Sequence, residues 1–146
     1  MVLRLGDAIA LYVCRHGETE ANVEARFQGW TRDTPLTALG LAQGSDIAKI
    51  LARETGAEPA LDFVSSPLTR ARKTMELVRA TLGLPVDAFR LDDRLREINL
   101  GSWDGLTEAE ARALDPPSFD ALDADKWDVR VPGGENYADV AARAAD

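Results

Sequence analysis

Ala8-Ile9-Ala10-Leu11-Tyr12-Val13, cut off at Cys14-Arg15-His16-Gly17, is the stretch that decides the fold. An apolar run this short and this unbroken suits a strand covered on both faces. That is the pattern of a central strand in a parallel sheet, not of a strand with one wet face. The polar turn that follows sets a guanidinium, an imidazole and a glycine just past the strand's carboxyl end, where open α/β sheets collect their ligands. From there to about Asp33 no clean period appears, and the segment reads as loop with room for one helical turn.

Working outward, Thr37 is suited to cap a helix running to about Glu54. Leu36, Leu39, Ile47, Ile50 and Leu51 form its expected buried stripe, and Gly40, Gly44 and Ala48 a side small enough for close packing on a sheet. Leu61 to Ser65 reads as a second strand. Ser66 then caps, and Pro67 opens, a helix with Leu68, Ala71, Met75, Val78 and Leu82 on its apolar side, stopped by Gly83 and Pro85. Val86 to Ile98 contains an extended piece. Thr107 with Glu110 makes a capping box for a short helix, which Pro116-Pro117 breaks. Pro132-Gly133-Gly134 is a loop, and Asn136 caps a last helix with Tyr137, Val140, Ala141 and Ala144 on one side. Strands alternating with helices predict a doubly wound α/β layer in a single domain over residues 1–146.

Composition removes several function classes. The net charge of −8 disfavours nucleic-acid partners, which need many cationic contacts to phosphates. It also requires any anionic substrate to be held by a local cluster of arginines and backbone N–H groups. One cysteine and one histidine leave no set of ligands for a structural metal and no internal disulfide, and point to a cytoplasmic protein. No apolar stretch is long enough to span a membrane, and Met1 to Asp7 lacks the features of a secretory leader.

Two parallel neighbouring strands would bring Arg15, His16 and Arg70 to one rim, beside the N-terminus of the 67–82 helix. Two guanidiniums grip phosphate oxygens bidentately, and an imidazole kept neutral among them is a nucleophile toward phosphorus. Each residue also has a plainer reading: His16 as a hydrogen-bonded structural residue, Arg70 with Arg72 and Lys73 as a solvated face, Glu97 as the salt-bridge partner of Arg94 or Arg96. Cys14 reads as a small buried residue.

Five blocks in order resemble the histidine-phosphatase (phosphoglycerate-mutase-like) family. They are Leu11 to Asn22; Phe27-Gln28-Gly29-Trp30 with Asp33 to Gly40; Ser65 to Ala71; Arg96 to Gly105; and Pro132 to Glu135. The resemblance implies a three-layer, mostly parallel α/β sheet and the hydrolysis of phosphomonoesters through a phosphohistidine on His16. It implies Arg15 and Arg70 on the phosphoryl oxygens, Asn22 near the phosphate, and Gln28 and Gly29 shaping the substrate side. Glu97 is then the group that protonates the leaving oxygen, and neither metal nor cofactor is implied. The partner is a small phosphorylated metabolite. The alternatives are a phosphoglycerate mutase needing a bisphosphoglycerate primer, and a non-catalytic phosphate-ester binder or inactive fragment. The Leu100 to Gly105 block is more like the phosphatase members.

The family also has a second histidine on a strand near its C-terminal end, and this sequence has only His16. The domain is therefore expected to lack its C-terminal part, to turn over poorly as an isolated chain, and to pair its first strand with the missing segment or with another copy in a homodimer.

Overall fold

The computed structural model describes residues 2–5, 9–56 and 61–146. Ala8, counted above in the first strand, lies outside them. Strand β1 (Val2–Leu5) and strand β2 (Ile9–Tyr12) form an antiparallel hairpin with Leu3 opposite Leu11. The decisive apolar run is thus a strand. Among the described residues, however, its ladder partner is the preceding segment rather than a parallel neighbour, and Leu11 stands 46% exposed. Apolar content reports the burial a strand is built for; it does not name the partner that supplies it.

Helix α1 (Glu20–Val23) is the helical turn the loop had room for, and Thr19 and Asn22 close it with a reciprocal capping box. Helix α2 (Ala38–Thr55) starts at the expected cap: Thr37 Oγ1 accepts the Gly40 N–H at 3.0 Å. Its buried face is Gly40, Gly44, Ala48 and Leu51, while Leu39 and Ile50 are more than half exposed. The small-residue side is the contact side because α2 packs against the next helix, where backbones approach closely; Leu51 is buried with it, while Leu39 and Ile50 turn outward.

Strand β3 (Val64–Ser65), helix α3 (Thr69–Thr81) and strand β4 (Arg90–Leu91) make a βαβ unit, with β3 and β4 parallel and Val64 opposite Arg90. Helix α3 begins two residues later than the sequence suggests. Leu68 stands at its N-cap and offers no side-chain acceptor, so the first turn takes its cap from elsewhere in the chain, as described below. Ala48, Leu51 and Val78 form one core, against which Tyr12, Leu61 and Phe63 pack.

A second core lies under the C-terminal third. The 3-10 turns Asp93–Leu95 and Gly101–Trp103 lead into helix α4 (Glu108–Leu114), capped by the Thr107–Glu110 box as the spacing predicts. Pro116-Pro117 does end α4, but it also opens helix α5 (Pro116–Ala124), with Asp115 as its N-cap. Proline in the first turn has no N–H to lose, so a breaker for one helix is a starter for the next. Trp103, 1% exposed, is sandwiched between Phe27 and Phe119 with ring centroids 6.4 Å and 5.3 Å away. Helix α6 (Tyr137–Ala145) carries the expected Asn136 cap and sits against the Asp93–Leu95 turn.

Candidate active site

The loop bearing His16 leaves β2 and lies directly on the start of α2 and along α3. Gly17 and Gly40 face each other so closely that a Cβ on Gly17 would sit 2.3 Å from the Gly40 carbonyl oxygen. The Gly17 N–H donates to Thr74 Oγ1 at 3.0 Å, and Thr74 in turn donates to the Arg70 carbonyl at 2.8 Å. The Glu18 N–H donates to Gln43 Oε1, and the Glu18 carbonyl accepts the Thr37 N–H at 2.9 Å. Both helices therefore fix the loop backbone, and glycine is required at 17 and 40 because nothing larger fits.

His16 Nδ1 lies 2.7 Å from the Gly17 carbonyl oxygen, and Arg70 Nε lies 3.3 Å from His16 Nε2. A carbonyl only accepts and a guanidinium only donates, so Nδ1 carries the proton and Nε2 presents a lone pair. Burial pushes the imidazole below the ordinary histidine value of 6.5, and the charges of Arg70 and Arg15 act in the same direction. The Gly17 carbonyl and the Glu97 carboxylate oppose them without reversing the result. The neutral imidazole with its proton on Nδ1 and a lone pair on Nε2 is thus the form this site favours.

Arg70 is 2% exposed, and its remaining donors are all directed. Nη1 donates to the Gly29 carbonyl at 3.3 Å and approaches Asp33 Oδ1 at 3.5 Å; Nη2 donates to the Gln28 carbonyl at 3.2 Å. The solvated-face reading of Arg70 is excluded. Arg15 is exposed on the loop beside it.

Gln28 and Gly29 therefore meet Arg70 through their backbone carbonyls. The Gln28 side chain turns inward, accepting from Thr19 Oγ1 at 2.8 Å and donating to Thr34 Oγ1 at 3.0 Å. Asn22 sits on the first turn of α1, its Oδ1 taken by the Thr19 N–H. Glu97 is exposed, and its Oε1 accepts the Ile98 N–H at 3.0 Å. Its carbonyl accepts from Trp30 Nε1 and from Arg143 Nη2, which hold its backbone beside the Gln28–Asp33 loop. The salt-bridge reading of Glu97 fails, because Asp92 pairs with Arg94 and Asp93 with Arg96. Cys14, expected to be buried, is exposed.

Three supporting residues escaped the sequence reading. Thr19, fully buried, links the α1 cap to Gln28. Asp33 accepts the Thr69 N–H, and the Arg70 N–H at 3.4 Å, so it is the cap that α3 lacks locally. Asp104 gathers the Gly29 and Thr31 N–H groups at 2.7 Å, the Thr31 hydroxyl at 2.6 Å and the Arg32 N–H at 3.2 Å. Burial alone pushes the Asp104 carboxyl up, but these four donors outweigh it and hold it below the usual carboxylate range. A capping aspartate distant in sequence leaves no local spacing by which to find it.

Among the described residues, no cluster of three His, Cys, Asp or Glu side chains is placed to hold a metal ion, and no helix is long and apolar enough to cross a membrane.

The family described as the histidine phosphatase superfamily (branch 1) matches residues 11–146. Over 134 residues the chain is 42% identical to a glucosyl-3-phosphoglycerate phosphatase of Mycobacterium tuberculosis, covering 91% of this chain and 56% of that protein. It is 35% identical over 133 residues to a 2,3-bisphosphoglycerate-dependent phosphoglycerate mutase of a Methylobacterium strain, covering 91% and 62% respectively. The solved structure of the mycobacterial glucosyl-3-phosphoglycerate phosphatase with VO3 superposes with a TM-score of 0.73 at 40% identity, over 88% of this chain and 60% of that one. The chain thus spans a little over half the length of the relatives it matches. Its α/β class, expected from alternating strands and helices, is the fold it shares with that structure.

Proposed function

Because the chain belongs to the histidine phosphatase superfamily, we propose that it carries the nucleophile of a phosphomonoester hydrolase acting through a phosphohistidine on His16. The observation that carries this reading is the imidazole fixed by its Nδ1–H on the Gly17 carbonyl, with the Nε2 lone pair turned to Arg70. Nε2 attacks phosphorus, the phosphorus–oxygen bond to the alcohol breaks, and the departing oxygen takes its proton from Glu97. Water then attacks the phosphohistidine and gives a proton to Glu97. The phosphorus–nitrogen bond breaks, releasing inorganic phosphate and the neutral imidazole.

Arg15 and Arg70 hold the phosphoryl oxygens and offset the charge that builds in the transition state. A phosphoryl group entering between His16 and Arg70 replaces the 3.3 Å contact between them. Gln28 and Gly29 serve through the carbonyls that aim Arg70, and Asn22 through the turn that closes the loop. Residues 1–146 act as one domain, with His16 as the histidine among them.

The substrate is a small phosphorylated metabolite, and the single cysteine suits a cytoplasmic setting. A homodimer, or pairing of the first strand with the family's C-terminal strand, completes the assembly. The mutase relative supports a second reading, in which the phosphoryl group returns to a bound phosphoglycerate.

The test is release of phosphate from p-nitrophenyl phosphate by the intact protein, without primer, together with trapping of an acid-labile phosphoenzyme. Loss of both in His16→Ala supports the hydrolase. Turnover only with a bisphosphoglycerate primer points to the mutase, and turnover untouched by His16→Ala removes the phosphohistidine.

A further inference from the structure

Resting on the reading of His16 as nucleophile, we infer that Asp33 is the positioning residue that sets Arg70 against the imidazole. Arg70 is buried at the start of a helix that lacks a side-chain cap of its own. A buried guanidinium needs a counter-charge, and a helix start needs acceptors for its first N–H groups. One carboxylate supplies both. Asp33 accepts the Thr69 and Arg70 backbone N–H groups and lies 3.5 Å from Arg70 Nη1, so it grips the same residue at the main chain and at the side chain.

The other side of the guanidinium is held by the Gln28 and Gly29 carbonyls, and the Gly29 N–H in turn is held by Asp104. With its two Nη groups fixed in this way, Arg70 has one direction left for Nε–H, and that direction is His16 Nε2. Asp33 itself touches no reacting atom; it acts through Arg70. Arg70 and Arg15 disfavour the protonated ring and Glu97 favours it, and Asp33 lies against Arg70, 3.5 Å from its Nη1. Asp33 can therefore act on His16 in two separable ways, through where Arg70 stands and through its own field.

That distinction fixes the sign of the test. If Asp33 positions Arg70, removing it slackens the Nε contact with the neutral imidazole and exposes the ring. The His16 titration midpoint then rises toward the ordinary value. If Asp33 mattered only as a negative charge near the site, its removal would leave the imidazole in a more positive field and the midpoint would fall.

The chain contains one histidine, so its imidazole resonances are assigned without ambiguity. The experiment is an NMR titration of His16 in the chain, in Asp33→Ala and in Asp33→Asn. The asparagine keeps an oxygen to cap Thr69 and Arg70, so it decides the matter should the alanine variant not fold. The expected result is a rise of roughly half a pH unit or more in Asp33→Ala, in the same direction and smaller in Asp33→Asn. An unchanged or lowered midpoint in the folded variant overturns the inference. The titration reads the placement of Arg70 whether or not the protein turns over, so a failure of the phosphatase reading and a failure of this one are told apart.

Discussion

Gly40→Ala is the substitution whose consequence can be worked furthest, although residue 40 touches no proposed substrate. A Cβ there would lie 2.1 Å from the Glu18 carbonyl oxygen, 2.9 Å from the Glu18 nitrogen and 3.0 Å from its carbonyl carbon. Every one of these is a backbone atom of the His16 loop, so no side chain can rotate away. Restoring an ordinary contact of about 3.5 Å requires the loop and the helix to part by roughly 1 Å or more. The same Glu18 oxygen accepts the Thr37 N–H, so parting them also strains the start of α2. Overpacking of this kind costs about 1–3 kcal/mol.

The effect on rate is expected to be larger than the effect on stability. A displacement of about 1 Å at a reacting group costs on the order of 100-fold, and His16 is two residues from the point of collision. Gly44→Ala is the control. Its Cβ would meet only Leu77, with the Leu77 Cβ and Cδ1 both at 3.1 Å, a contact that a shift of the helices by a few tenths of an ångström relieves. Replacing a helical glycine also gains about 1 kcal/mol of propensity. Urea unfolding and p-nitrophenyl phosphate turnover of the intact protein measure both quantities. Gly40→Ala with the parent's unfolding midpoint and rate, or Gly44→Ala equally damaged, would refute the account of the loop as clamped by facing glycines.

Two further outcomes follow from the site's ionisation. His16 is held below 6.5 by burial and by Arg70 and Arg15, so the fold favours its neutral form. The linked stability is therefore present above 6.5 and declines as acid carries the pH from there down through the folded midpoint. Turnover, which needs the neutral imidazole, is expected to persist below pH 6.5, and an acid limb at or above that value in a pH–rate profile would contradict this. Asp104→Ala is expected to destabilise by about 2–4 kcal/mol, because four donors lose a charged acceptor, and urea unfolding reads the loss. Its carboxyl is held low, so its contribution is present above the unfolded carboxylate value and fades as pH falls through the folded one. Equal stability of parent and variant at neutral pH would show that the loop does not depend on it.

The sequence by itself determined the elements whose causes are local. The caps at Thr37, Thr107 and Asn136 mark their helices because each interaction closes within three residues. The polar break after Val13 put Arg15, His16 and Gly17 at a strand end for the same kind of reason, and the five blocks in order carried the family. Only the tertiary structure decided which partners those elements take. The apolar run at Ile9–Tyr12 pairs with an antiparallel hairpin strand, and α2 turns its glycines inward, because pairing and packing depend on what lies across the contact. The site divides along the same line. His16 and Arg70 were legible as types in a pattern, but the proton on Nδ1, the inward turn of Gln28 and the work of Asp33 and Asp104 came only with the fold. The Asp33 and Asp104 contacts join residues 36 and 75 positions apart, and no spacing along the chain encodes a hydrogen bond that folding alone brings within 3 Å.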